Sequence, residues 1–138
     1  MTMRLEFEVE TRLPPEQIYA FFKTPADWPL LFPAFGDVSI RHDGWFTVPM
    51  RRSPIPLVAR NTVDEPGQRV AWDLRGFWKG DGEVRFEATA SGTRVTGHEE
   101  VNLPRLLGLG ALLEKSAKPR FAAVWESGWR RLRKMDPA

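Results

Sequence analysis

The order in which hydrophobic patterns succeed one another restricts the fold of this chain more than any single residue does. One alternating strand comes first and a proline-punctuated helical stretch follows. Strand patterns alone then run to about Asn102, and a long amphipathic helix closes the chain. The opening strand, Leu5-Glu6-Phe7-Glu8-Val9-Glu10, has a clean period of two. The closing helix is expected from about Arg105 to Lys134. There Leu106, Leu109, Leu113, Ala117, Phe121, Val124, Gly128 and Leu132 recur every three or four positions. Such a helix buries its stripe most readily against the concave face of an antiparallel sheet. Space left between the two is then the natural place for a functional site.

Within the helical stretch, Pro14-Pro15-Glu16 starts a first short helix, with proline in its first turn and Glu16 at its positive end. Thr24-Pro25 stops it, and Pro25-Ala26-Asp27-Trp28 starts a second, ended by Phe32-Pro33. The strand region follows, with turns at His42-Asp43-Gly44, Glu65-Pro66-Gly67, Lys79-Gly80-Asp81-Gly82 and Ala90-Ser91-Gly92. Pro49, Pro54 and Pro56 each remove a ladder donor, which predicts an edge strand or irregular hairpin there. A strand is expected over Leu57–Val63 and a last one over Thr93–Asn102. Pro119 is expected to kink or divide the final helix.

The 138 residues, 42% of them apolar and 12% aromatic, suit one domain over 1–138 with a substantial core. The absence of cysteine removes disulfides, a thiol nucleophile and cysteine-ligated metal centres. No secretory signal and no membrane span are expected, and a cytoplasmic protein is the default. Arg130, Arg131, Arg133 and Lys134 cluster on the last turns of the final helix. With no second basic stripe, they read as a solvated helix C-terminus, and nucleic acid is not expected as a partner. Oligomeric state is not fixed by the sequence.

Catalytic signals are sparse. His42 lies beside a turn and His98 in mid-strand, with no carboxylates at ligand spacing, so neither a metal nor a cofactor is expected. Glu99-Glu100 resembles a carboxylate pair, yet adjacent strand residues point to opposite faces. Glu99 shares parity with Val95, Gly97 and Val101, which is expected to place it inside; the alternative is that, near the strand end, it reaches solvent. Glu100 and His98 are expected to point outward. A carboxylate inside costs several kcal/mol unless it is paired or hydrated. Arg60 or Asn61 is a candidate partner, and Gly97 is expected to leave unfilled space beside it. Glu99 is the single catalytic candidate. Tyr19 reads as core packing.

Inward parity also selects Phe46, Val48, Trp72, Leu74 and Phe86 on the strands. Phe22, Trp28 and Trp78 lie near the same face, while Phe121 and Trp125 lie on or beside the helix stripe. Together with Glu99 they are the candidate lining of an apolar pocket containing a polar spot.

Several segments resemble one family. Leu13-Pro14-Pro15-Glu16-Gln17-Ile18-Tyr19 is similar to the entry into the first helix of the helix-grip (START-like, SRPBCC) superfamily, and Ala26-Asp27-Trp28-Pro29 to its second. Gly92-Thr93-Arg94-Val95-Thr96 resembles the entry into its last strand. Val124-Trp125-Glu126-Ser127-Gly128-Trp129-Arg130-Arg131-Leu132 resembles the closing helix of its cyclase/dehydrase-like bacterial branch. The superfamily includes the birch-pollen allergen, lipid-transfer domains and polyketide cyclases. The resemblance implies an α+β fold in which a seven-stranded curved antiparallel sheet grips the C-terminal helix, with two short helices between strands 1 and 2. It also implies a hydrophobic or amphipathic small molecule as partner: a lipid, polyketide or aromatic compound. Two alternatives stand beside that reading. One is a cyclase/dehydrase-like enzyme orienting a polyketone with polar cavity residues; the other is a protein-interaction module.

Overall fold

The computed structural model describes the backbone of residues 2–103 and 110–136, and the side chains of all of these but 110–116. Strand β1 (Thr2–Thr11) leads into α1 (Pro15–Tyr19) and a 3₁₀ helix (Pro25–Leu30). Then come β2 (Ser39–Ile40), β3 (Phe46–Val48), β4 (Leu57–Glu65), β5 (Arg69–Arg75), β6 (Lys79–Thr89) and β7 (Gly92–Asn102). Helix α2 (Gly110–Met135) closes the chain. The seven strands form one antiparallel sheet in the order β1-β7-β6-β5-β4-β3-β2. This is the helix-grip architecture. The expected start of the last helix, with Leu106 and Leu109, lies outside the described residues, as does the Leu113 side chain.

Period-two alternation produces the two-faced sheet. Met3, Val70, Trp72, Leu74, Val84, Phe86, Val95 and Val101 are buried, while their neighbours carry the charges. Helix α2 meets this face with Ala117, Phe121, Trp125, Trp129 and Leu132, all buried. Phe7 stacks on Trp125 at a centroid distance of 4.3 Å, and Trp78 meets Phe121 edge-on at 5.3 Å. The helix runs unbroken through Pro119, where Lys118, Pro119 and Arg120 are exposed. Phe32 packs onto it at Gly128, where a Cβ would stand 2.4 Å from the phenyl ring.

Besides the division expected at Pro119, two glycine expectations change. Lys79-Gly80-Asp81-Gly82 is not a turn: it opens β6, and the chain reverses at Gly76, whose φ of +89° favours glycine. Gly82 lacks a side chain for a different reason, because three atoms of the Trp72 indole lie 2.5–2.6 Å from where its Cβ would be. Likewise Gly97 leaves no void. Its cross-strand partner Phe7 covers it, with Cζ 2.7 Å from the missing Cβ.

The proline-rich hairpin is irregular, as the missing donors require: β3 has three residues, and beyond it only Phe35 and Met50 pair. On β4 a register shift between Asn61 and Val63 turns Asp64 toward α1, where its carboxylate accepts the Tyr19 hydroxyl at 2.6 Å. Tyr19 therefore does more than pack. Its ring meets Phe86 edge-on, and its hydroxyl, tied to a carboxylate, is pushed up to about 12.

The Gly82–Trp72 overlap gives the first test. Gly82→Ala is expected to destabilise the fold by about 1–3 kcal/mol, because a packed indole must move. Gly36→Ala, whose new Cβ meets its nearest atom at 3.6 Å, should stay within about 0.5 kcal/mol. Urea denaturation of both variants measures the difference; equal stabilities would refute the overlap.

Candidate ligand-binding site

One row across the sheet builds the site. Trp72 on β5 pairs with Gly82 on β6, and Gly82 pairs with Glu99 on β7. Strands lie about 4.8 Å apart, so Trp72 and Glu99 stand two spacings from each other. The indole bridges that gap by lying over Gly82, and Trp72 Nε1 donates to Glu99 Oε2 at 3.2 Å. From the helix side, Trp125 Nε1 donates to Glu99 Oε1 at 3.3 Å. Each carboxyl oxygen thus accepts one indole N–H from opposite walls of the sheet–helix gap.

Glu99 is 6% exposed. Burial raises its pKa from the usual 4.5 to about 7; the Trp125 and Trp72 N–H groups pull it partly back, and the charge of Asp81 adds to the rise. Neither expected partner reaches it. Arg60 is exposed and lies over the Trp45 ring at 4.7 Å, because outward parity carries it to the other face. Asn61 does point inward, but its amide donates to the carbonyls of Phe22 and Lys23 at 3.2 and 2.9 Å and anchors the end of the first helical segment.

A cavity of about 20 Å³ adjoins this carboxyl, just above the volume one water needs. Of the candidate residues, the structure brings Phe22, Trp28, Trp72, Glu99, Phe121 and Trp125 to its wall. It does not bring Phe46, Val48, Leu74, Trp78 or Phe86 there. Val48 and Leu74 are buried in the sheet layer, and Phe86 packs against Phe22 and Tyr19. Phe46 sits half-buried on β3, and Trp78 is tied by its N–H to the Ile55 carbonyl at 3.1 Å. The wall also holds residues that sequence reasoning missed: Phe32, Phe35, Met50, Leu57 and Val124. Val124 lay in the predicted helix stripe, Leu57 in a predicted strand, and Met50 follows Phe46 and Val48 at period two, so three signals were present. Phe32 and Phe35 follow the second helix in irregular chain, where no periodicity marks a face.

Rings fill the remaining space. Phe22 stacks near-parallel to both Trp72 and Trp125 at 6.4 Å, and Trp28 meets Trp72 edge-on at 5.6 Å. The N–H groups of Trp28 and Trp129 are buried without an acceptor among the described residues. The walls nearest solvent are Met50 and Val124, both half-buried, beside the proline-rich hairpin. His42 is exposed and His98 is half-buried on the outer face; neither lines the cavity. In the basic cluster, Arg131 donates to the Pro29 and Leu30 carbonyls at 3.3 and 3.2 Å, and Arg133 pairs with Glu126 at 2.7 Å. Two of its four cations are thus engaged within the chain. Among the described residues no helix is long and apolar enough to cross a membrane.

A helix gripped by a curved sheet, with a mostly apolar cavity between them, defines the class. The chain belongs to the polyketide cyclase/dehydrase and lipid transport family, whose sequence profile matches residues 2–134. Comparison with curated proteins gives no match. Among solved structures, the chain is similar to the di-domain ARO/CYC StfQ of the steffimycin biosynthetic pathway, with a TM-score of 0.73 and 12% identity. That match covers 96% of this chain and 50% of the other, so the chain spans half the length of that two-domain protein. A START superfamily protein from Mycobacterium smegmatis matches with a TM-score of 0.68 and 12% identity, over 97% and 98% of the two chains. DR_A0006 from Deinococcus radiodurans matches with 24% identity and a TM-score of 0.57, over 91% and 98%. At these identities the likeness is one of fold.

The buried carboxyl makes stability depend on pH. The unfolded chain releases the Glu99 proton near 4.5, whereas the folded state keeps it to about 7. The folded state therefore binds more protons between those values, and this contribution is lost as pH rises through them. The difference corresponds to about 3 kcal/mol. Urea unfolding at pH 5 and pH 8 should show this loss in the wild type and not in Glu99→Gln. A parallel pH dependence in both proteins would contradict the burial.

Proposed function

We propose that the chain binds a hydrophobic or amphipathic small molecule, a lipid, polyketide, isoprenoid or aromatic compound, between the sheet and α2, as a cytoplasmic protein. The observation that carries this reading is Glu99: a buried carboxyl on the wall of a cavity whose other described residues are all apolar or aromatic. Pockets for apolar ligands combine such a lining with a few fixed polar groups that orient the guest.

The cavity is too small for such a guest as it stands, so binding must part its walls. The side that can part carries Trp28, Phe32 and Phe35. Two backbone hydrogen bonds hold it to the hairpin, Gly36 N to Pro49 O and Arg51 N to Ala34 O, each 2.8 Å. The two Arg131 contacts hold the 3₁₀ helix to α2. Moving about 300 Å² of apolar ligand surface out of water gains roughly 7 kcal/mol before association and opening costs. Micromolar affinity is consistent with that gain.

A cyclase or dehydrase reaction would draw on the same carboxyl, since a group poised near neutrality exchanges protons readily. Acid–base work on one substrate calls for a second group, however. Among the described residues Glu99 is the one titratable side chain on the cavity wall, which favours binding.

Tryptophan fluorescence titrated with fatty acids, flavonoids and fused-ring aromatics tests the proposal. Saturable micromolar binding is expected for at least one class. Val124→Phe, which grows into the cavity from α2, should weaken it at least tenfold while leaving the circular-dichroism spectrum unchanged. Binding that Val124→Phe leaves intact would move the site elsewhere, and no binding by any class would end the proposal.

A further inference from the structure

A carboxylate buried in a protein is ordinarily matched by a cation, because neutral donors do not cancel its charge. Among the described residues Glu99 has donors and no cation. Trp72 and Trp125 each give it one N–H. From β5, the 3₁₀ helix and α2, the described side chains around the cavity are tryptophans and other apolar residues, with no lysine or arginine. Among the described residues the one charged group that acts on it is Asp81, on the neighbouring strand β6, and it is also negative. Once Glu99 ionises, above about pH 7, the interior therefore carries a negative charge that no cation among the described residues answers.

The wall around that charge is made of ring faces and edges: Trp28, Trp72 and Trp125, with Phe22 and Phe32. An aromatic wall attracts cations through the negative faces of its π-systems, most strongly when water is excluded. A buried carboxylate inside such a wall is complementary to one kind of ligand head group. We propose that the guest is an amphipathic organic cation, a primary amine or quaternary ammonium compound on an aromatic or aliphatic body, whose charged nitrogen lies against Glu99. This rests on the binding reading above and narrows it. A neutral hydroxyl would fill a lone pair of Glu99 and leave its charge unmatched. An anionic guest would be repelled by Glu99 and Asp81 together.

Three probes of one shape separate these cases at pH 8: 2-naphthylmethylamine, 2-naphthylmethanol and 2-naphthoate, followed by calorimetry and tryptophan quenching. The amine is expected to bind at least tenfold tighter than the alcohol, and the naphthoate weakest. Glu99→Gln should bring the amine to the level of the alcohol while changing the alcohol by less than threefold. In the wild type, affinity for the amine should rise from pH 5.5 to pH 8 as the carboxyl ionises, and affinity for the alcohol should not. That profile tests the idea even if the variant does not fold. An alcohol or acid that binds as tightly as the amine overturns the cation inference and leaves the binding site standing. If none of the three binds, the cation inference falls, and the binding reading is decided by the fatty-acid, flavonoid and fused-ring titrations.

Discussion

Everything at the centre of this fold depends on an indole lying flat across a glycine. Trp72, Gly82 and Glu99 occupy one row of three neighbouring strands. Any side chain at the middle position would lift the indole off the sheet and part it from the carboxyl. With glycine there, Trp72 reaches across two strand spacings, and its aromatic face is left for Phe22 and Trp125 to pack on. The same device recurs one step away, where Phe7 lies over Gly97 and turns its ring to Trp125. Two in-strand glycines thus let large rings lie down, so that α2 approaches close enough for Trp125 to reach the second oxygen of Glu99.

The element order was legible because period two and period 3.6 are properties of the chain itself. So was the inward direction of Glu99, since parity with Val95 and Val101 fixes it once the strand is recognised. What lies beside Glu99 was not legible. Lateral neighbours depend on register between strands separated by long stretches of sequence, and one chain read alone does not contain that number. Arg60 and Asn61 were chosen as partners for their chemistry, and register sent one outward and the other to a backbone cap. Gly80 and Gly82 read as a turn for a related reason. Glycine marks both turns and places where a neighbour crowds the backbone, and only the position of Trp72 tells them apart. The wall residues on irregular chain, Phe32 and Phe35, follow no period at all.

The aromatic cluster both fills the core and leaves it able to rearrange. Rings offset at 6.4 Å gain most of their stabilisation from area, with a modest part from geometry, so several arrangements of similar energy are available. The cavity of about 20 Å³ is the residue of that packing. The sheet supplies one rigid wall through its continuous ladder. The opposite wall is short helix and loop, broken by Pro25, Pro29 and Pro33, and held to the hairpin by few backbone bonds. Stability is unevenly distributed in such a molecule, and the weaker side is the one a guest can displace.

The two faces of the sheet handle charge in opposite ways. Outside, carboxylates meet guanidinium groups: Glu100 with Arg4 at 2.7 Å, Glu83 with Arg69 at 2.9 Å, Glu10 with Arg94 at 3.3 Å. The Glu100–Arg4 and Glu10–Arg94 pairs are exposed and stabilise little, while Glu83–Arg69 is half-buried. Inside, where a missing partner costs far more, the carboxyl has no cation among the described residues. Shortage of cations is not the reason, because the chain has 20 lysines and arginines. A leucine or methionine at position 99 would fill the same volume without desolvating a charge, and replacements of that kind commonly leave a core as stable or more so. The carboxyl is therefore a feature that folding alone does not require. Its two indole donors fix its orientation without neutralising it, which leaves the charge available to something that enters the cavity.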